Sequence, residues 1–147
     1  MRLNLQTDFA LRSLMHLAIN TDRRVTIAEI SETFGISRNH LMKVALALSH
    51  EGFILTERGR AGGLRLARAA SDIQVGDVVR RMEGSVALVE CFPGGAGGCR
   101  ISPTCRLRGA LAEALEAFFA SLDTCSIADL VHDNTALREM LAIGEPA

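Results

Sequence analysis

The stretch "TIAEISETFGISRNHLMKVALALSHEG" narrows the fold more than any other part of the chain, because it holds two helix starts separated by a glycine turn. Thr26 and Glu29 form a capping box, in which the Thr hydroxyl and the Glu carboxylate satisfy each other's free amide donors. The helix they start is short and stops at Gly35. "GIS" then turns the chain, and Ser37 caps a second helix from Arg38 to about Glu51. Leu41, Val44, Ala45 and Leu48 make its inner stripe, and Gly52 ends it. A short helix, a glycine-containing turn and a second capped helix constitute a helix-turn-helix.

The opening of the second helix in such a unit reaches base edges in the major groove. Here that opening is Ser37, Arg38, Asn39 and His40, with Lys43 one turn later. Arg pairs well with guanine O6/N7 and Asn with adenine N6/N7. A polar helix start that merely faces water is the competing reading, and the next segment weighs against it. In "FILTERGRAGGLRLAR", strand-like runs at Phe53–Thr56 and Leu64–Ala67 flank a turn, with Arg58 and Arg60 at its tip and glycines to let the backbone reverse. A helix-turn-helix followed by a basic hairpin is a winged helix, and its expected partner is double-stranded DNA.

The charge supports this order. Residues 1–70 carry 10 Lys and Arg against 6 Asp and Glu, whereas residues 71–147 carry 6 against 11, so a net charge of −1 conceals a basic front half and an acidic back half. We divide the chain accordingly into a DNA-binding domain, 1–70, and a second region, 71–147. With 48% hydrophobic residues the chain can bury a core. No apolar run approaches the roughly 18–20 residues that span a bilayer, and the N-terminus shows no cleavage motif, so the expected location is cytoplasmic, without a membrane partner.

Upstream, Thr7 is predicted to cap a first helix running to about Asn20. Downstream, "SDIQVGDVVRRMEG" reads as a short helix ended by Gly84. A long helix follows, with Ser102 as its cap and Pro103 in its first position, and Leu107, Leu111, Leu115, Phe118 and Leu122 recurring along it. So wide an apolar stripe needs cover, and a second copy of the chain supplies it economically, since palindromic operators are read by two-fold dimers. "SIADLVHDN" predicts a last short helix before a polar tail. The expected fold is mainly α with a small β-hairpin wing: a winged helix-turn-helix plus a long C-terminal dimerisation helix.

Between the short and long helices, "ECFPGGAGGCRISPTCRL" holds Cys91, Cys99 and Cys105 in a Cys-x7-Cys-x5-Cys pattern around a glycine-rich loop. The helix signals put Cys105 at the third helical position, where the dipole favours a thiolate. Zinc sites usually pair cysteines two to four residues apart. Longer, flexible spacing suits the greater width of an iron–sulfur cluster. Zinc, a disulfide, or packing alone remain open on chemistry. Cys125 reads as a buried structural thiol. Asp8, Glu90, Asp123, His132 and Cys125 are candidate fourth ligands, and spacing selects none. Enzyme chemistry finds little support: "GRAGG" leads into a strand instead of a helix, and His16, His40, His50 and His132 are scattered without a Ser/His/Asp set. His16 and His50 read as ordinary helix-face residues.

Several segments in order, "TDFALRSLMHLA", "ISRNHLMKV", "RGRAGGLRLA", "IQVGDVVRRMEG" and "CRISPTCRLRGAL" through "FFASLD" to "IADLV", resemble the NsrR-type nitric-oxide-responsive repressors. These belong to the bacterial winged-helix family that also contains the iron–sulfur regulator IscR. The resemblance implies a homodimeric repressor of a palindromic operator, with nitric oxide as its signal and one iron–sulfur cluster per subunit. A 4Fe–4S cluster is the expected type, with 2Fe–2S as the alternative. The implied ligands are Cys91, Cys99 and Cys105, with Asp8 contributed by the partner subunit. Arg108 stands where IscR-type proteins carry a histidine ligand, which argues against that variant.

Overall fold

The computed structural model describes residues 2–142. Its first helix, α1 (Leu5–Ile19), has its cap three residues before the predicted one, Thr7. Asn4 is the N-cap, its side-chain oxygen accepting from the Thr7 amide at 2.8 Å and the Thr7 hydroxyl at 3.2 Å. Asn caps a helix at least as well as Thr, and here Thr7 is a fully buried donor to that cap.

The helix-turn-helix is α2 (Ile27–Phe34) and α3 (Arg38–His50). The Thr26–Glu29 capping box forms as expected, and Ser37 accepts from the His40 amide at 3.3 Å to start α3. The turn between them is pinned by the Ser31 hydroxyl, which donates to the Ile36 carbonyl at 2.6 Å. Leu41, Val44, Ala45 and Leu48 face inward as the sequence predicts.

Strands β1 (Ile54–Glu57) and β2 (Gly63–Leu66) pair antiparallel, Ile54 opposite Leu66 and Glu57 opposite Gly63. The hairpin has a third member that the sequence did not reveal. Val25, just before α2, exchanges two backbone hydrogen bonds with Leu64, at 3.0 and 2.8 Å. A single residue is too short for alternation to register, so only the tertiary pairing exposes it. This bridge holds the wing against the entrance of the helix-turn-helix. Gly62 makes the hairpin's return possible, since a Cβ there would lie 2.4 Å from the Glu57 carbonyl oxygen.

A 3-10 turn (Ala70–Asp72) precedes α4 (Val75–Glu83), so the short helix starts later than "SDIQ" suggests, and Gly84 ends it as predicted. The long helix α5 (Arg106–Asp123) is followed by α6 (Ile127–Val131) and by α7 (Thr135–Leu141), where the sequence reading had only a polar tail. Asn134 caps α7 through the Leu137 amide at 3.0 Å, and Leu141 is buried. The signal was present as an Asn cap followed by Leu137 and Leu141 four apart.

One continuous core joins both halves. Leu14, Leu17, Ile30, Leu41, Leu48 and Phe53 from the front meet Ile73, Val78, Val79, Phe119 and Ile127 from the back. α1 is the shared wall, packing against α3 on one side and α4 and α6 on the other. The ends of the back half are stitched together by the amides of Val75 and Ile127, which donate to the carbonyls of Cys125 and Ile73, both at 2.8 Å.

Candidate DNA interface and cysteine site

Core packing of one stripe of α3 forces its opposite stripe outward. Ser37, Arg38, Asn39, His40 and Lys43 are all exposed, and Arg38 makes only a loose contact with Glu32 at 3.7 Å. The His40 ring leans toward Phe9 of α1, centroids 6.1 Å apart, which orients it without burying it. Arg58 and Arg60 are exposed at the hairpin turn. Two arginines absent from the predicted set brace this wing. Arg24 ion-pairs with Glu57 and donates to the Ala61 carbonyl at 3.1 Å, and Arg65 approaches Glu57 at 3.4 Å. The role of Arg24 depends on the Val25 bridge beside it, so linear spacing carried no sign of it. An exposed, polar helix start beside a basic, braced hairpin has the chemistry to meet phosphates and base edges together.

The cysteine segment has more internal structure than its composition suggests. The amides of Phe92, Gly95 and Gly97 donate to the carbonyls of Val89, Phe92 and Glu90, at 3.0, 2.9 and 2.8 Å. The Ser85 hydroxyl donates to the Pro93 carbonyl at 2.6 Å, and Phe92 is buried. The loop is therefore a run of tight turns anchored by one aromatic side chain.

Cys105 differs from its predicted position. Ser102–Thr104 form a 3-10 turn, the chain re-extends at Cys105 (φ −79°, ψ 110°), and α5 begins only at Arg106. Cys105 is therefore the N-cap of α5 and not its third residue. An extended residue cannot sit inside a helix, so the Ser-Pro start signal marks the 3-10 turn instead. The thiol still lies at the positive end of the α5 dipole.

Cys91, Cys99, Cys105 and Cys125 are all half-buried free thiols. Cys125 packs against the margin of the core, so it is less buried than predicted. Beside Cys105 an open cleft of about 660 Å³ is lined by Val86, Phe92, Pro93, Arg108 and Leu115 among others. As donors, the three soft thiols suit an iron–sulfur group, and Cys105 lines this largely apolar cleft. Within the single chain they are not drawn into a ligand set, since among the described residues no three His, Cys, Asp or Glu side chains converge.

Asp8 lies one turn into α1. Its amide already donates to the Asn4 carbonyl, so it is not at the first helical position. Its carboxylate is held by Arg12, at 2.7 and 3.1 Å, yet the side chain is 40% exposed and open to approach. Of the other fourth-ligand candidates, Asp123 is engaged by Arg80 through two bonds, at 2.6 and 2.7 Å.

His16 also departs from expectation. It lies on the inner face of α1, wholly buried, with no hydrogen-bond partner on either ring nitrogen. Its ring meets Phe34 edge-on at 6.0 Å. Burial pushes its imidazolium well below the ordinary range; the Glu29 carboxylate opposes this and the Arg23 guanidinium adds to it.

These elements together define a winged-helix protein of the DNA-binding regulator class. Comparison with known proteins agrees. Residues 3–133 match the Rrf2 family model, described as iron-dependent transcriptional regulators. The HTH-type transcriptional regulator NsrR of Geobacillus kaustophilus (strain HTA426) is 44% identical over 142 residues, covering 96% of this chain and 97% of that protein. Among solved structures, T. potens IscR superposes with a TM-score of 0.73 at 23% identity, covering 90% of this chain and 88% of that one. The oxidised form of Staphylococcus aureus CymR gives 0.72 at 22% identity, covering 90% and 97%. The chain belongs to the Rrf2 family; it is a transcriptional regulator and not an enzyme. Among the described residues no helix is long and apolar enough to cross a membrane.

Proposed function

We propose that this regulator is a cytoplasmic repressor that binds a palindromic operator as a homodimer and releases it in response to nitric oxide, through an iron–sulfur cluster. Residues 1–70 read DNA, with Ser37, Arg38, Asn39, His40 and Lys43 in the major groove and Arg58 and Arg60 on the flanking backbone. Residues 71–147 sense and dimerise. Cys91, Cys99 and Cys105 would hold the cluster, 4Fe–4S by preference, with Asp8 of the partner subunit as the fourth ligand. When bound, such a cluster supplies iron that reacts with nitric oxide.

The observation that carries this reading is the placement of the thiols. Cys105 caps α5, the helix whose exposed apolar residues need a second copy, while Asp8 is exposed on α1, the helix against which the reading helix α3 packs. A ligand set shared across the dimer would tie sensing to the spacing of the two reading helices, which must enter grooves roughly 34 Å apart. Coupling of about 1–3 kcal/mol is enough to change operator affinity from several-fold to about a hundredfold. An oxygen ligand among thiolates is the weakest corner of such a set. To serve, Asp8 must exchange its Arg12 partner for metal.

Anaerobic titration of the purified protein with nitric oxide, followed by operator binding, tests this. The expected result is brown protein containing iron and sulfide that releases the operator as nitric oxide is added. Colourless protein containing zinc would exclude the cluster. Release on iron depletion with indifference to nitric oxide would move the signal to iron, which the family's description as iron-dependent favours as the second reading.

A further inference from the structure

A chain of hydrogen bonds runs from the last helix of the sensing half into the helix-turn-helix. The Leu141 carbonyl, at the end of α7, accepts from the side-chain amide of Asn20 at 3.2 Å across 121 residues of sequence. That same Asn20 nitrogen donates to the His16 carbonyl at 2.9 Å, and its oxygen accepts from Arg23 at 3.0 Å. The other arm of Arg23 donates to Glu29 at 2.7 Å. The second oxygen of Glu29 accepts the Thr26 amide at 2.5 Å, completing the cap of α2. Beyond α2, Ser31 and Ile36 fix the turn into α3.

We propose that Asn20 and Arg23 are positioning residues for DNA reading, through which α7 sets the orientation of α2 and hence of the recognition helix α3. The proposal rests on the DNA-reading role given above to α3. Three features set this chain apart from ordinary surface bonding. Asn20 is buried, only 7% exposed, and both ends of its amide are used. Arg23 joins acceptors on two different elements, Asn20 at the end of α1 and Glu29 on α2, which needs the fork of a guanidinium; a lysine ammonium cannot reproduce that planar geometry. The far end is anchored in the back half, since Leu141 is buried and Arg138 of α7 donates to the Val131 carbonyl of α6 at 3.3 Å. Burial pushes the Glu29 carboxyl up, but the Thr26 amide and the Arg23 guanidinium outweigh it and hold Glu29 ionised and in place. Movement of α6 and α7 therefore bears on the cap of α2 by a route separate from the cysteine loop.

The test compares full-length Arg23→Lys, Leu141→Ala (which keeps the carbonyl but removes the buried side chain that docks α7) and the double variant with the unaltered chain, measuring the ratio of operator affinity to random-duplex affinity well below each variant's melting temperature. A merely structural role lowers the melting temperature and leaves that ratio alone. The expected result is a loss of about tenfold in each single variant, with the double losing no more than either. Unchanged ratios in both, or losses that multiply in the double, would overturn the proposal. Should Leu141→Ala not fold, Asn20→Asp, which removes the donor to Leu141 but keeps the acceptor for Arg23, takes its place in the same comparison. An unaltered chain that does not discriminate operator from random DNA would overturn the DNA reading itself, and the positioning role with it.

Discussion

At the scale of single residues, His16 couples stability to pH. Its folded-state pKa lies below the unfolded value of about 6.5, so the unfolded chain binds the proton more readily. The stability owed to neutral His16 is present above about pH 6.5 and is lost as pH falls below it. His16→Leu removes two unsatisfied ring nitrogens and keeps an apolar side chain against Phe34. The melting temperature of the variant should fall less between about pH 7 and pH 5.5 than that of the unaltered protein. An identical fall in both would mean that other groups set the acid sensitivity. Arg38 and Asn39 belong to the same scale for the opposite reason, since they are exposed and make no contact the fold needs. Replacing either with Ala should cost roughly 1–3 kcal/mol of operator affinity per lost base contact, measured by titration at fixed salt, with the melting temperature unchanged.

At the scale of elements, α4 and the end of α5 approach each other closely. A Cβ on Gly76 would clash with the Asp123 carboxylate, which Arg80 grips by both oxygens, and would lie 3.1 Å from the Asp123 backbone nitrogen. Arg80 in turn lies 4.5 Å over the ring of Phe119, the one buried residue of α5. Gly76→Ala should therefore destabilise the protein by roughly 1–3 kcal/mol, the usual cost of overpacking, as read by denaturant unfolding. Retention of full stability would show that the two helices can slide apart at little cost. Gly76 is the place where these two helices touch.

At the scale of the whole molecule, α5 carries more apolar surface than its own chain covers. Leu107 is 63% exposed, and Leu111, Leu115, Phe118 and Leu122 are only half-buried. A second copy on this face would bury them and bring two winged helices into fixed relation. Leu107→Glu combined with Leu111→Glu should shift the protein toward monomer in sedimentation and weaken operator binding steeply, with each monomer still folded around the core shared by α1 and α4. A double variant that remains dimeric would place the interface elsewhere.

Local chemistry was enough to determine much of this protein. The capping box at Thr26, the Ser37 cap and the inner stripe of α3 could be read because each depends on residues within one or two helical turns. The exposure of Arg38, Asn39 and Lys43 followed from that stripe. Family membership was readable too, because the matching segments run in order along the chain. Tertiary structure decided what depends on residues far apart in sequence. Val25 became part of the wing through Leu64, and α7 docked through an Asn20 bond spanning 121 residues. Thr7 yielded its cap to Asn4, and Cys105 became a cap because an extended residue interrupts the start that Ser102 and Pro103 announce. His16 was buried by a partner helix that its own helix gives no sign of. Spacing along a chain encodes what short-range hydrogen bonds and periodic burial require. Which faces meet, and which donors are left for a distant carbonyl, is set only when the elements pack.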